Sequence, residues 1–360
     1  MRIINAMFGC GKGGIEQAFL DYDAALHAKQ HEVITLVHPR AQILPAIIQT
    51  DSTIEMVANY GSWDITAVWK LKQLLQRITP DCIIAHGNRA VTLLRKATNT
   101  IPIIGVCHNY NLKHLMHCDG LLSITNNIRD LVISRGFSPS LIHQIPNMIT
   151  VPTGLNPRAS LSFRTPPIIG TMGRFVKKKG INIFIEALSI LKARAIPFCA
   201  IIGGCGIEDQ HLRTQVSTLG LDNDISFTGW VEDKTLFYKN CDIFCLPSLH
   251  EPFGIVLLEA FLHALPVVST DSEGPCEIAH HEHDALIVQK ANAVAMADAI
   301  ERLIMHPKLA ASLAINAFST VTKHYDSAIV SVLLDKAITD IIQQTSNKTV
   351  IASPRTAKKL

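Results

Sequence analysis

Short apolar runs alternate with longer amphipathic stretches along most of the chain. Runs of four to six residues, rich in Ile and Val and without polar alternation, predict strands buried on both faces of a parallel sheet. In the first half they fall at 2–7, 32–37, 54–57, 82–86, 103–108, 120–124 and 142–145. Between them, apolar residues at helical spacing predict helices over 15–28, 65–78, 91–97 and 127–136. From Asn147 to Pro167 no period survives. Pro152, Gly154, Asn156, Pro157, Pro166 and Pro167 mark that stretch as a linker. The alternation then resumes, with strands at 168–172, 198–202, 225–228, 243–246 and 266–269 and helices over 181–193, 210–219, 234–240, 255–263 and 293–305. A last amphipathic helix is expected over 326–344, and the polar end from 345 onward as frayed.

This alternation predicts an α/β protein with the same architecture twice: two Rossmann-like domains. We place the first at 1–150 and the second at 166–325, with 326–345 as a separate helix and 346–360 as a flexible tail. A length of 360 residues agrees, at ~100–200 residues per domain. Composition excludes several classes. At 48% hydrophobic and 18% charged the chain is not disordered. A net charge of +3 is too mild for nucleic-acid binding. Mean hydropathy is high at +0.24, yet no apolar run reaches the ~20 residues a bilayer span needs. The opening run ends at Phe8-Gly9 without the core or cleavage region of a signal peptide, so a cytoplasmic protein is expected. The nine Cys form no C-x-x-C pair and no cluster with His. Cys82, Cys107, Cys199 and Cys245, in apolar strands, read as small buried hydrophobes, and no metal site is expected.

In an open α/β sheet, ligands bind outside the carboxyl ends of the strands, so chemistry is sought just after them. The richest such stretch begins at Ser248. Glu251 and Glu259 flank a strand-to-helix corner made by Pro252, Phe253 and Gly254, and the helix starts at Ile255 and Val256. Its first turn offers unpaired N–H groups and the positive end of the helix dipole, a seat for phosphate. A carboxylate inside the helix suits two ribose hydroxyls, and one before it suits a different sugar. Two Glu at that spacing carry nothing alone. In this context they resemble the E-x7-E signature of GT-B fold, family-4-like retaining glycosyltransferases (glycosyl transferases group 1).

The resemblance covers nearly the whole chain, strongly from Gly170 to Ile287 and weakly before the linker. It implies two domains facing a cleft, the first binding the acceptor, the second the nucleotide-sugar donor, and a last helix crossing back to the first. It places Arg174 and Lys179 of Gly173-Arg-x4-Lys-Gly180 on the donor diphosphate, where a fork and a point charge would hold growing negative charge. It puts Gly13 and Gly14 beside donor phosphate and acceptor, backbone at Val231 beside the base, and Glu251 on the donor sugar. His108, at a strand end, would touch donor sugar or acceptor, or simply be satisfied by backbone; His86 stands at the preceding strand end. The pattern departs from the family at Gly274-x-x-Glu277, where Ala285 replaces a usual Gly.

The reaction implied is metal-independent and needs no cofactor. A hexose-type sugar passes from a UDP- or GDP-type donor to a glycan or lipid-linked acceptor, in lipopolysaccharide or other surface polysaccharide assembly. The acceptor hydroxyl would attack from the leaving-group face. A GT-B epimerase, or a module that binds nucleotide sugars without catalysis, stays open. A dinucleotide enzyme is disfavoured: Gly9-x-Gly11-x-x-Gly14 fits its fingerprint, but the second strand ends at Val37-His-Pro39 without an acid, and Lys12 precedes no Ser or Thr. Asp21-x-Asp23 lies in a predicted helix, where i and i+2 do not share a face, and Asp222-x-Asp224 precedes a strand far from the Glu251–Glu259 stretch, so neither is read as a metal motif. The helix over 65–78, with Trp63, Trp69, Lys70, Lys72 and Arg77, either covers the sheet or rests on the inner face of the cytoplasmic membrane. Tyr110 and Lys113 would border the acceptor.

Overall fold

A computed structural model describes residues 1–48, 52–155, 157 and 162–352, the last six of these in backbone only. Residues 156 and 158–161 of the expected linker, and 353–360 of the expected tail, lie outside the described residues. The chain divides into two compact units, one built from 1–148 with the helix that starts at Ser327, the other from Ile149–Asp326.

Unit 1 runs β1 (Arg2–Met7), α1 (Gly14–Ala28), β2 (Glu32–Val37), α2 (Leu44–Ile48), β3 (Thr53–Met56), α3 (Ile65–Ile78), β4 (Cys82–His86), α4 (Asn88–Ala97), β5 (Ile103–Cys107), β6 (Gly120–Ser123), α5 (Asn126–Ser134) and β7 (Ile142–Gln144). All neighbouring strands are parallel, in the order β3-β2-β1-β4-β5-β6-β7. The central strands β4 and β5 are buried along their full length, which is why their sequences are apolar without alternation. Helix starts follow capping chemistry. Asp64 accepts from the Ala67 N–H at 3.0 Å to open α3, and Thr125 does the same for α5.

Unit 2 runs β8 (Ile168–Met172), α6 (Ile181–Ala193), β9 (Cys199–Gly203), α7 (Asp209–Thr218), β10 (Ile225–Gly229), α8 (Lys234–Lys239), β11 (Ile243–Leu246), α9 (Ile255–Leu262), β12 (Val267–Thr270), α10 (Pro275–Ile278), β13 (Leu286–Val288), α11 (Ala293–Met305) and α12 (Pro307–His324). Its parallel sheet has the order β10-β9-β8-β11-β12-β13. Both sheets reverse direction of winding beside their first strand, at β1/β4 and at β8/β11. Those are the switch points where a doubly wound sheet opens a crevice.

The last helix, α13 (Ser327–Ala352), belongs to unit 1. Val330, Leu334, Ala337, Ile338 and Ile341 enter the same apolar cluster as Ile3, Tyr22, Ile104 and Leu122. The approach is close: a Cβ on Gly120 would lie 2.4 Å from Ile341 Cγ2.

Several features depart from the pattern-based reading. Helix α2 falls where no element is expected, and α13 runs to Ala352, past the expected end at 344 and into the stretch expected to fray. Helix α12 occupies a stretch given no element, because half of its buried stripe is alanine (Ala310, Ala314 and Ala317, beside Leu313, Phe318 and Val321), a weak apolar signal. Strand β13 and helix α10 are too short to show a period. Helix α9 ends at Leu262, so Leu265 packs from the following turn, not from the helix face. Cys199 is exposed, not a buried hydrophobe, since it opens β9 at the sheet rim; Cys82, Cys107 and Cys245 are buried.

Candidate active site

In unit 2 three loops at the carboxyl ends of β8, β9 and β11 are tied together through backbone. After β8, Gly173 N–H donates to Gly203 O at 3.0 Å and Phe175 N–H to Cys205 O at 2.8 Å. The contact needs glycine: a Cβ on Gly204, at φ 131°, would stand 1.9 Å from Gly173 O. Gly173 and Phe175 therefore face the corner, with Phe175 fully buried, and Arg174 between them is exposed. Its guanidinium has no hydrogen-bond or ionic partner among the described residues. Farther on, Leu249 N–H donates to Lys178 O at 2.9 Å, binding the β11 loop to the β8 loop. Gly180 sits at φ 63°, and a Cβ there would be 2.0 Å from Pro247 O.

This docking brings distant residues into contact. The Lys179 stem runs along Gly173, and its ammonium pairs with Glu251 Oε2. Ser248, fully buried, donates to the same oxygen at 3.3 Å. Thr270 Oγ1 donates to Ser248 O at 2.6 Å and so fixes the loop from β12. Glu251 is buried, as is Phe253. Gly254 takes a left-handed conformation, φ 103°, which lets the chain turn into α9. No side chain caps that helix, so the first-turn N–H groups of Ile255 and Val256 keep their capacity for an anion. Glu273 sits beside this loop, with His250 Nδ1 at 3.0 Å. Burial pushes its carboxyl up, but backbone N–H bonds and the His250 ring outweigh that and hold it below the ordinary value.

Glu259, one turn into α9 and buried, has a partner on each oxygen. Lys234 Nζ lies 2.6 Å from Oε1, and Tyr238 OH donates to Oε2 at 2.9 Å. A carboxylate has about four lone-pair sites, so one remains on each oxygen for a pair of hydroxyls. Burial, then the Glu259 charge, raises the Tyr238 phenol well above its ordinary value and keeps it a donor. Val231 packs over Gly203, whose added Cβ would meet Val231 Cγ2 at 2.7 Å. The sequence reading missed Lys234, Tyr238 and Ser248. The one signal for the first two was a Lys and a Tyr four apart in the helix predicted after Val231.

In unit 1, His86 ends β4 and His108 directly follows β5, side by side. His86 Nδ1 lies 2.9 Å from His108 Nε2, and the rings stack at 5.0 Å. Phe19 and Tyr22 press edge-on against His86. Burial brings His108 down to about 4, and burial followed by the His108 charge holds His86 well below its ordinary value. Both rings are neutral at physiological pH, so in their shared bond one donates and the other accepts. Gly13 and Gly14 lie at the start of α1. The glycines of this loop make room for an acid of the chain itself: added Cβ atoms on Gly9, Gly11 and Gly13 would stand 3.2–3.5 Å from the Glu16 carboxylate. The first turn of α1 thus carries an acid of its own, Glu16, whereas the first turn of α9 carries none. No group of three or more His, Cys, Asp or Glu able to hold a metal occurs among the described residues.

Two family models match the chain. Glycosyl transferases group 1 covers residues 155–320 and Glycosyltransferase Family 4 covers residues 12–151. The lipopolysaccharide core biosynthesis glycosyltransferases LpsE and LpsD of Rhizobium meliloti (strain 1021) are each 28% identical to it. The match to LpsE covers 90% of this chain and 95% of LpsE; that to LpsD covers 93% and 97%. Among solved structures, Anabaena HepE in complex with UDP superposes with a TM-score of 0.82 at 20% identity, covering 94% of this chain and all of HepE. The lipopolysaccharide outer core galactosyltransferase WaaB, apo form, gives 0.72 at 16% identity, covering 94% and 99%.

Proposed function

The chain belongs to the group 1 glycosyl transferases and has their GT-B fold, and on that premise we propose a retaining, metal-independent transfer of a hexose-type sugar from a nucleotide diphosphate sugar to a glycan or lipid-linked acceptor. The names of LpsE and LpsD favour lipopolysaccharide or related polysaccharide assembly. The UDP and UDP-glucose held by HepE favour a UDP-type donor over a GDP-type one. The place of work in this proposal is the inner face of the cytoplasmic membrane.

One observation carries the reading: Arg174, the Lys179–Glu251 pair and the uncapped start of α9 converge on the β8/β11 switch point. The diphosphate takes the N–H groups of Ile255 and Val256 and the Arg174 fork. Lys179, held by Glu251 in the ligand-free protein, exchanges part of that contact for phosphate oxygen. Glu251 then faces the donor sugar and stabilises positive charge at its anomeric carbon. Glu259 uses its two open lone-pair sites for the ribose hydroxyls. The acceptor oxygen bonds to the anomeric carbon on the face the diphosphate leaves; the carbon–phosphate-oxygen bond breaks, and the acceptor proton passes to the leaving diphosphate. Retention follows from attack on that face. His108, neutral, serves the sugar or acceptor as a hydrogen-bonding group, and Gly13 and Gly14 let the acceptor approach backbone.

A thermal-shift series with UDP-, GDP- and ADP-sugars and NAD tests this directly. A UDP-sugar is expected to stabilise the protein most. Arg174→Ala should lower kcat by about 10²-fold, the scale of losing one charge-stabilising donor, and Glu259→Ala should weaken nucleotide binding. Stabilisation by NAD alone, or normal turnover in both variants, would end the proposal.

A further inference from the structure

The stretch from 57 to 80 of unit 1 shows water an unusual set of side chains. Tyr60 is 87% exposed, Trp63 75%, Ile65 82% and Trp69 60%. Single exposed apolar residues are ordinary, but four large ones within ten residues form a patch. The helix does bury another face: Ala67, Leu71, Leu74 and Leu75 pack inward, so covering the sheet does not account for Ile65 and Trp69.

Structure holds this patch outward. Ile65, Trp69 and Lys72 recur at i, i+4 and i+7 and share one face of α3, with Lys70 on the adjoining row. The loop before the helix is pinned on two sides. Asp64 accepts from the Tyr60 N–H at 3.0 Å, and Lys96 from α4 donates to Ser62 O at 3.1 Å. The Trp63 indole lies against Gly61, whose added Cβ would meet its Nε1 at 3.3 Å. The aromatic rings are thus presented by anchored backbone.

Charge selects the occupant. Asp64 is the one acid between 57 and 80, and it is buried as the cap of α3. Lys70 and Lys72 are exposed beside the rings. Arg77 is spent on Glu55 at 2.5 Å. Trp and Tyr with an apolar body and a polar tip, rimmed by Lys and free of exposed acid, match the headgroup region of an anionic bilayer. We propose that the face formed by Tyr60, Trp63, Ile65 and Trp69, with Lys70 and Lys72, docks this protein on an anionic lipid bilayer. The proposal rests on the membrane-face reading above and deepens it by naming the contact surface.

The test is co-sedimentation of the full chain with phosphatidylglycerol–phosphatidylcholine vesicles and with phosphatidylcholine alone, no donor or acceptor present. The wild type should pellet with the anionic vesicles and be released by salt. Trp63→Ala with Trp69→Ala should weaken binding at least tenfold; Lys70→Glu with Lys72→Glu should do so on anionic vesicles. Because these residues are exposed, Tm should stay within a few degrees of wild type. The chain has three Trp, so Trp230→Phe leaves the two in question as reporters, and their emission should shift to the blue with anionic vesicles. Wild type that ignores vesicles, or a double Trp variant that binds unchanged, overturns the proposal. So does lipid-free self-association that the double Trp variant abolishes, which would make the patch an interface between copies. Turnover on a soluble acceptor fragment should be unchanged in the Trp variants, so failure here is separable from failure of the transferase reading.

Discussion

Glu259 illustrates what residue-level geometry adds to a motif. Its carboxylate is held by Lys234 and Tyr238 with one open site per oxygen. Tyr238→Phe removes one orienting bond without touching charge. Donor KM should rise several-fold while kcat stays within about twofold, consistent with ~1.5–3 kcal/mol at most for a bond to a charged group. Steady-state kinetics check this; a fall in kcat alone would place Tyr238 elsewhere in the mechanism. The histidine pair makes a different prediction. In the unfolded chain His108 gains a proton below about 6.5, but in the folded protein only near 4. The unfolded state therefore binds more protons in that window, and stability falls as pH falls from 6.5 to 4, by on the order of 3 kcal/mol for His108. His86 acts in the same direction. Tm measured across this range should drop for wild type and drop less for His108→Gln. Equal slopes would show that other groups control acid stability.

Elements position these residues through close backbone approaches. Gly180 stands where the β8 loop meets the β11 loop, and its conformation and its neighbour both exclude a side chain. Gly180→Ala should cost about 1–2 kcal/mol for the left-handed backbone alone, with more from displacing Pro247. Urea unfolding would register that loss, and the displaced loop should also loosen the Lys179–Glu251 pair and lower turnover. Unchanged turnover would mean that the two loops need not touch. The strands were legible in the sequence because burial on both faces leaves a continuous apolar run. Helix α12 was not, because alanine packs well but barely marks a period. The meeting of α8 with α9, which gives Glu259 its partners, has no spacing that sequence could display.

On the scale of the whole molecule, one continuous segment, Ile149–Asp326, forms a unit with its own apolar core, from Ile169 through Leu313. Unit 1 is discontinuous and completes its core with α13. Ending the chain before Ser327 should leave unit 1 insoluble or without a cooperative transition. A 149–326 fragment should still unfold cooperatively and bind nucleotide, as calorimetry with UDP would reveal. Within α13, Leu334→Ala should destabilise by about 2–5 kcal/mol, the usual range for a buried leucine. A truncated chain that melts like wild type would show that α13 is dispensable.

By itself the sequence determined the α/β class, the two Rossmann-like halves, and Arg174, Lys179, Glu251 and Glu259 as the candidate donor residues. These are local properties: period, glycine placement and short motifs are all read within a few residues of one another. The tertiary structure decided the rest. It paired Lys179 with Glu251 and gave Glu259 its Lys234 and Tyr238. It also joined His86 to His108, set Glu16 within the glycine loop and turned Trp63 and Trp69 to solvent. Each of these joins or exposes groups according to how separate elements pack, and packing is a long-range outcome that no local spacing encodes.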